Sequence, residues 1–224
     1  MSPRRTRVLL AVGFYSLLGA VGLAWIVLRP QPGLLRHPDP WFSLGSGAVS
    51  LVASLVGGLI IGYGTVLLSQ RMTRRYRWAR ALHVEFRAAL CPLDSGTILV
   101  LAAGSALAEE TFFRGALQPA VGLVPAALLF GAAHLPPSRA LWTWTVWALG
   151  MGLLLGVLYE VTGHLLGPVV AHFIVNYENL HFIDQHDPSR TEIGPQPPPR
   201  ERTTSERSMA RIDDRLVTPV RRRS

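Results

Sequence analysis

The chain has 224 residues, 49% of them apolar and only 16% charged, where soluble domains carry about 25% charged residues. So little charge excludes an ordinary soluble domain and points to lipid as the solvent. The net charge of +8 comes from Arg alone, with no Lys in the chain, a usage that fits a GC-rich bacterial genome. Those Arg residues flank stretches with no charge at all, 8 to 28, 45 to 69 and 141 to 159, so the positive-inside rule accounts for them and nucleic-acid binding does not. The single Cys91 excludes an internal disulfide and a cysteine metal cluster.

Taken in chain order, the first predicted span, Val8 to Leu28, follows Arg4, Arg5 and Arg7, as the apolar region of a signal peptide would. It is too long for one, against roughly 7 to 15 residues, and it ends in Arg29-Pro30-Gln31-Pro32 with no small-residue cleavage site, so a retained helix is expected. A Pro-rich loop from Pro30 to Pro40 leads to a second span, Phe42 to Leu68, which closes in five Arg between Arg71 and Arg80. That cluster assigns its end, and with it the N-terminus, to the cytoplasm. Residues 79 to 92 mix apolar positions at helical spacing with Arg80, Glu85 and Arg87, the pattern of an interfacial helix. Four more apolar segments follow: Gly96 to Leu117, Val121 to Leu135, Leu141 to Tyr159 and Leu165 to Phe182. The second of these is short for a core of about 30 Å and is expected to be tilted, re-entrant or buried among the others.

From Asp184 on, nine Arg and seven acidic residues alternate with Pro, Ser and Thr, and too few apolar residues remain to fold, so a disordered cytoplasmic tail is predicted. The expected fold is all-α, a polytopic membrane helical bundle of about six membrane segments in a bacterial inner membrane with both termini cytoplasmic. Residues 1 to 93 supply two helices and the interfacial segment, 94 to 183 a four-helix catalytic core, and 184 to 224 the basic tail.

Polar residues inside apolar helices are costly and mark function by default. Glu109, Glu110 and Arg114 share the third span. Glu110 and Arg114 stand at i and i+4 in the favourable order and can pair, leaving Glu109 about 100° round the helix for other work. The fourth segment ends in Phe130-Gly131-Ala132-Ala133-His134, and the sixth carries His172 and Asn176 on one face at i and i+4. Taken singly, each group also reads as a packing residue or an ion network that only stabilises the bundle. Glu160 and His164, flanking the last turn, read as interfacial; Glu178, Asn179, His181 and His186 fall at or past the end of the last helix. Trp142, Trp144 and Trp147 read as an interfacial aromatic belt.

Together, Glu109-Glu110-x-x-x-Arg114, Phe130-x-x-x-His134 and His172-x-x-x-Asn176, on successive apolar helices, resemble the family of CAAX prenyl proteases and bacteriocin-processing or abortive-infection proteins. Phe113, Gly115 and Leu135 extend the match, which covers about residues 95 to 182. The resemblance implies an intramembrane endopeptidase in which Glu109 and His134 activate a water, His172 and Asn176 bind the oxyanion, and Glu110 and Arg114 support Glu109. It implies a membrane-associated protein or peptide substrate, lipidated or tail-anchored, within a lipid bilayer. No cofactor is favoured. The competing chemistry is zinc held by Glu109, His134 and His172, although His-Glu-x-x-His is missing. A non-catalytic scaffold or immunity-type member, and a transporter using the same charges as a relay, are the alternative functions. The transporter lacks paired half-helices in two similar halves.

Overall fold

In a solvent that offers no hydrogen bonds, an apolar chain satisfies its backbone only as a helix or a closed barrel, and the long uncharged stretches here are helical. The structure, a computed structural model, describes residues 3–30, 33–42, 44, 47–135 and 142–188. Helices α1 (Pro3–Leu28), α2 (Gly47–Arg75) and α3 (Arg77–Leu90) come first. Then α4 (Ser95–Glu109) runs directly into a π-helical stretch (Glu110–Leu117) and α5 (Gln118–Val121), followed by α6 (Leu123–Ala133), α7 (Trp142–Thr162) and α8 (Leu166–Gln185).

Among the described residues, four helical stretches are long and apolar enough to cross a membrane: Arg5–Leu28, Gly47–Arg75, Ser95–Val121 and Trp142–Thr162. The chain is therefore a polytopic helical bundle. Helix α6 has 11 residues, about 16 Å at 1.5 Å per residue, and lays Ala126, Ala127, Phe130 and Gly131 inward. Helix α8 has the length to cross, but its polar residues set it apart from the four, and it packs against α2 and α4.

The closest packing joins α2 to α8. Ser54, Gly58 and Gly62 recur every fourth residue on one buried face of α2, the small-residue stripe that lets membrane helices approach. Gly58 lies against Gly167, and Gly62 against Ala171 and Ile174. Ser54 adds polar bonds, its Oγ donating to the His164 carbonyl at 2.6 Å and accepting from the Gly167 N–H at 2.9 Å. On the other side Gly19 and Gly22 of α1 lie against Ala108 and Phe112.

Residues 33–42 fold back over the α7–α8 turn, where Gly163 takes a positive φ of 66°. The His37 N–H donates to the Gly163 carbonyl at 3.0 Å, the Trp41 N–H to Glu160 at 2.9 Å, and the Leu165 N–H to Leu35 at 2.8 Å. This cap buries Glu160 and His164, both at 6% exposure. Glu160 accepts from Gln118 Nε2 at 2.8 Å and lies 3.4 Å from His37 Nε2. Burial pushes the imidazoles of His37 and His164 below their ordinary pKa.

At the opposite end, α3 is tied to the end of α8. Arg87 Nη1 donates to the carbonyls of Ile183 at 2.6 Å and Asp184 at 2.5 Å, and His83 Nε2 bonds the His186 carbonyl at 2.8 Å. Because α8 continues to Gln185, Glu178, Asn179 and His181 lie within its last turns. Residues 1 to 188 form one compact unit; the predicted tail lies outside the described residues from 189 on.

Candidate active site

Helix α4 is built of small and apolar residues until Glu109, its last. There the hydrogen-bond register widens: the Gln118 N–H bonds the Phe113 carbonyl, five residues back, and the wider turn brings Glu110 and Arg114 into the bundle. Such π insertions in α-helices occur frequently at functional sites. Glu110 is 0% and Arg114 2% exposed, and Glu110 Oε1 accepts from Arg114 Nη1 at 2.8 Å. Arg114 also donates to the Gly152 carbonyl at 3.3 Å and sits 4.4 Å from the centre of the Phe130 ring, so the buried cation has a carboxylate, a carbonyl and a π face.

Both histidines are fixed through Nδ1. His134 caps α6, its Nδ1 donating to the Phe130 carbonyl at 2.7 Å, which satisfies one of the carbonyls orphaned at a helix end. His172 Nδ1 donates to Glu110 Oε1 at 2.7 Å. An acceptor at each Nδ1 requires a proton there, and so turns each Nε2 to the interior. Between them lies Glu109 Oε2, 3.7 Å from His134 Nε2 and 3.9 Å from His172 Nε2. This oxygen is buried and makes no hydrogen bond within the protein. Both separations exceed a direct hydrogen bond and match a bridge through one small polar molecule. Asn176 stands one turn beyond His172, its Nδ2 donating to Ser105 Oγ at 2.9 Å.

Glu109, His134, His172 and Asn176 share the wall of one cavity of about 450 Å³. Much of the remaining lining is apolar or aromatic, including Leu82 and Phe86 of α3 with Trp144, Trp147 and Met151 of α7. Trp144 packs edge-on against His134, with ring centres 5.6 Å apart, and against Phe86 at 4.9 Å. Trp144 and Trp147 thus line the cavity at the end of α7 that meets α3.

The structure therefore brings together the six polar residues named from sequence: Glu109, His134, His172 and Asn176 at the cavity, with Glu110 and Arg114 behind them. Ser105 and Trp144 went unnoticed as site residues. A Ser in an apolar helix carries no signal of its own, although Ser105 stands four residues before Glu109, one turn away on the same side. The zinc alternative has suitable donor types, one carboxylate and two imidazoles, but among the described residues no three such side chains are placed to hold one ion.

Fold and cluster define the class: a multi-pass helical membrane protein with a polar site buried between its helices. Residues 93–177, which include all six polar residues, match the family described as type II CAAX prenyl endopeptidase Rce1-like. The resemblance drawn from the motifs thus holds over the segment that carries it. The chain is also 44% identical over 73 residues to a Bacillus subtilis (strain 168) protein described as "Uncharacterized protein YpbD". That alignment covers 32% of this chain and 37% of the Bacillus protein. No solved structure matches the chain.

Proposed function

We propose that this protein is an intramembrane endopeptidase that hydrolyses a peptide bond of a membrane-associated protein or peptide. The observation that carries the reading is the buried, unbonded Glu109 Oε2 facing the Nε2 atoms of two histidines whose Nδ1 atoms are tied elsewhere. A general base must lie within hydrogen-bond reach of the proton it takes, directly or through one water. Glu109, with His134 orienting the same water through its Nε2 lone pair, takes a proton as the water oxygen bonds to the scissile carbonyl carbon. The carbonyl π pair moves onto oxygen. Collapse of the tetrahedral intermediate breaks the C–N bond, and the proton held by Glu109 passes to the leaving nitrogen, giving one new carboxyl and one new amine terminus.

The oxyanion needs hydrogen-bond donors aimed at it. His172 can donate from Nε2 only as an imidazolium, since its Nδ1 proton is committed to Glu110. That charge state balances the buried cluster, with Glu109 and Glu110 against Arg114 and His172. Asn176 supplies the second donor. Glu110 and Arg114 act on His172 and on the helix, not on substrate. The apolar, aromatic cavity suits a substrate segment that is itself apolar, such as a lipidated terminus or the end of a membrane anchor. The comparison that tests the reading is of membrane-associated peptide termini in cells carrying the native chain or Glu109→Ala. New termini present only with the native chain support it; identical sets of termini overturn it.

A further inference from the structure

The oxyanion role of Asn176 depends on which end of its amide faces the cavity, because the two ends have opposite polarity: the NH₂ attracts a developing oxyanion and the carbonyl oxygen repels it. A primary amide on a helix can turn either way about its last torsion, so something must set it. On α4, Ser105 is 4% exposed. Its Oγ lies 3.2 Å from the Ala102 carbonyl, three residues back on the same helix, and donates its one proton there. A hydroxyl with its proton spent on a carbonyl can only accept from its next neighbour. That neighbour is Asn176 Nδ2, at 2.9 Å.

We infer that Ser105 is a positioning residue for the reaction: by offering only a lone pair, it fixes the Asn176 amide with Nδ2 toward α4. One N–H is held by Ser105 and the other stays available to the oxyanion. The inverted amide would set its carbonyl oxygen against the Ser105 lone pairs, and the hydroxyl could turn to meet it only by abandoning Ala102. The device also joins two parts of the site. Ser105 lies one turn before Glu109 on α4, and Asn176 one turn after His172 on α8, so their bond holds the base helix and the oxyanion helix in register on the side away from the Glu110–His172 bond. This inference rests on the peptidase reading and goes beyond it, since neither the motifs nor the relatives assign Ser105 a part.

The test is a double-mutant cycle in kcat and KM on a peptide that the native protein cleaves, using Ser105→Ala, Asn176→Ala and the pair. Ser105→Ala leaves the amide in place but unoriented, so kcat should fall by roughly tenfold to a hundredfold, below the roughly 10² to 10³ for losing one oxyanion donor outright, with KM little changed. Because Ser105 acts through Asn176, the pair should be no slower than Asn176→Ala alone. A fall in kcat of the same factor with Ala at position 176 as with Asn there, or no fall in either, overturns the positioning role while leaving the peptidase reading intact. A native protein that cleaves nothing overturns both.

Discussion

Glu109 and Glu110 are neighbours in sequence, yet isosteric neutralisation of each should do opposite things. Glu110→Gln keeps the shape and an acceptor oxygen but removes the charge that faces Arg114 at 2.8 Å and His172 at 2.7 Å, with all three side chains at 10% exposure or less. Breaking a buried ion pair from one side costs about 3 to 5 kcal/mol, because the remaining charge stays buried without compensation. Arg114 retains the Gly152 carbonyl and the Phe130 face, so the lower end, about 3 kcal/mol, is expected. Glu109→Gln removes a charge whose Oε2 makes no hydrogen bond, so no direct ion pair is broken and the loss of stability should be clearly smaller than that of Glu110→Gln, while turnover falls by the roughly 10² to 10⁴ that general base catalysis supplies. Reversible unfolding in mixed micelles, run on both variants beside a cleavage assay, separates the two effects. Equal stability losses, or a Glu110→Gln variant as stable as the native chain, would refute the division of labour between the two carboxylates.

Acid should weaken the fold from outside the membrane spans. Burial holds His37, His83 and His164 below their ordinary pKa of 6.5, so the unfolded chain takes up protons first; stability is full above 6.5 and declines below it. A thermal midpoint that rises on acidification through that range would contradict this, and His83→Gln should shallow the decline. Gly58→Ala places a methyl group in the Gly167 backbone and should cost about 1 to 3 kcal/mol or more by overpacking, measurable in the same micelles, whereas Gly64→Ala, with open space around it, should not destabilise. Reporter fusions should find both termini and the loop from Arg71 to Arg80 in the cytoplasm, where the Arg clusters belong; an external C-terminus would contradict the six-segment topology.

The parts of the molecule legible in sequence are those with local signatures. Charge-free runs of membrane length gave α1, α2 and α7, and four-residue spacings gave the Glu110–Arg114 pair and the common face of His172 and Asn176, because helix geometry alone puts such residues together. The lipid-facing half of the pattern is equally local. What escaped depends on distant partners. The cap of residues 33–42 buries Glu160 and His164, the π register after Glu109 departs from the regular spacing that a sequence reading assumes, and Ser105 gains meaning only when α8 lies beside α4. That Trp144 lines the cavity shows only once α3 packs across from it. The stripe of Ser54, Gly58 and Gly62 was regular enough to be seen, but its partner Gly167 stands more than a hundred residues away.

The most direct test is hydrolysis itself, in liposomes holding the purified protein and a set of lipidated and unlipidated membrane peptides, in water enriched in the heavy oxygen isotope and with a metal chelator present. Mass spectrometry should find new C-termini that each carry one heavy oxygen for the native chain, undiminished by chelation, and none above background for Glu109→Gln. Cleavage that survives in Glu109→Gln, or that stops with chelator and returns with added zinc, would contradict water activation by Glu109 alone.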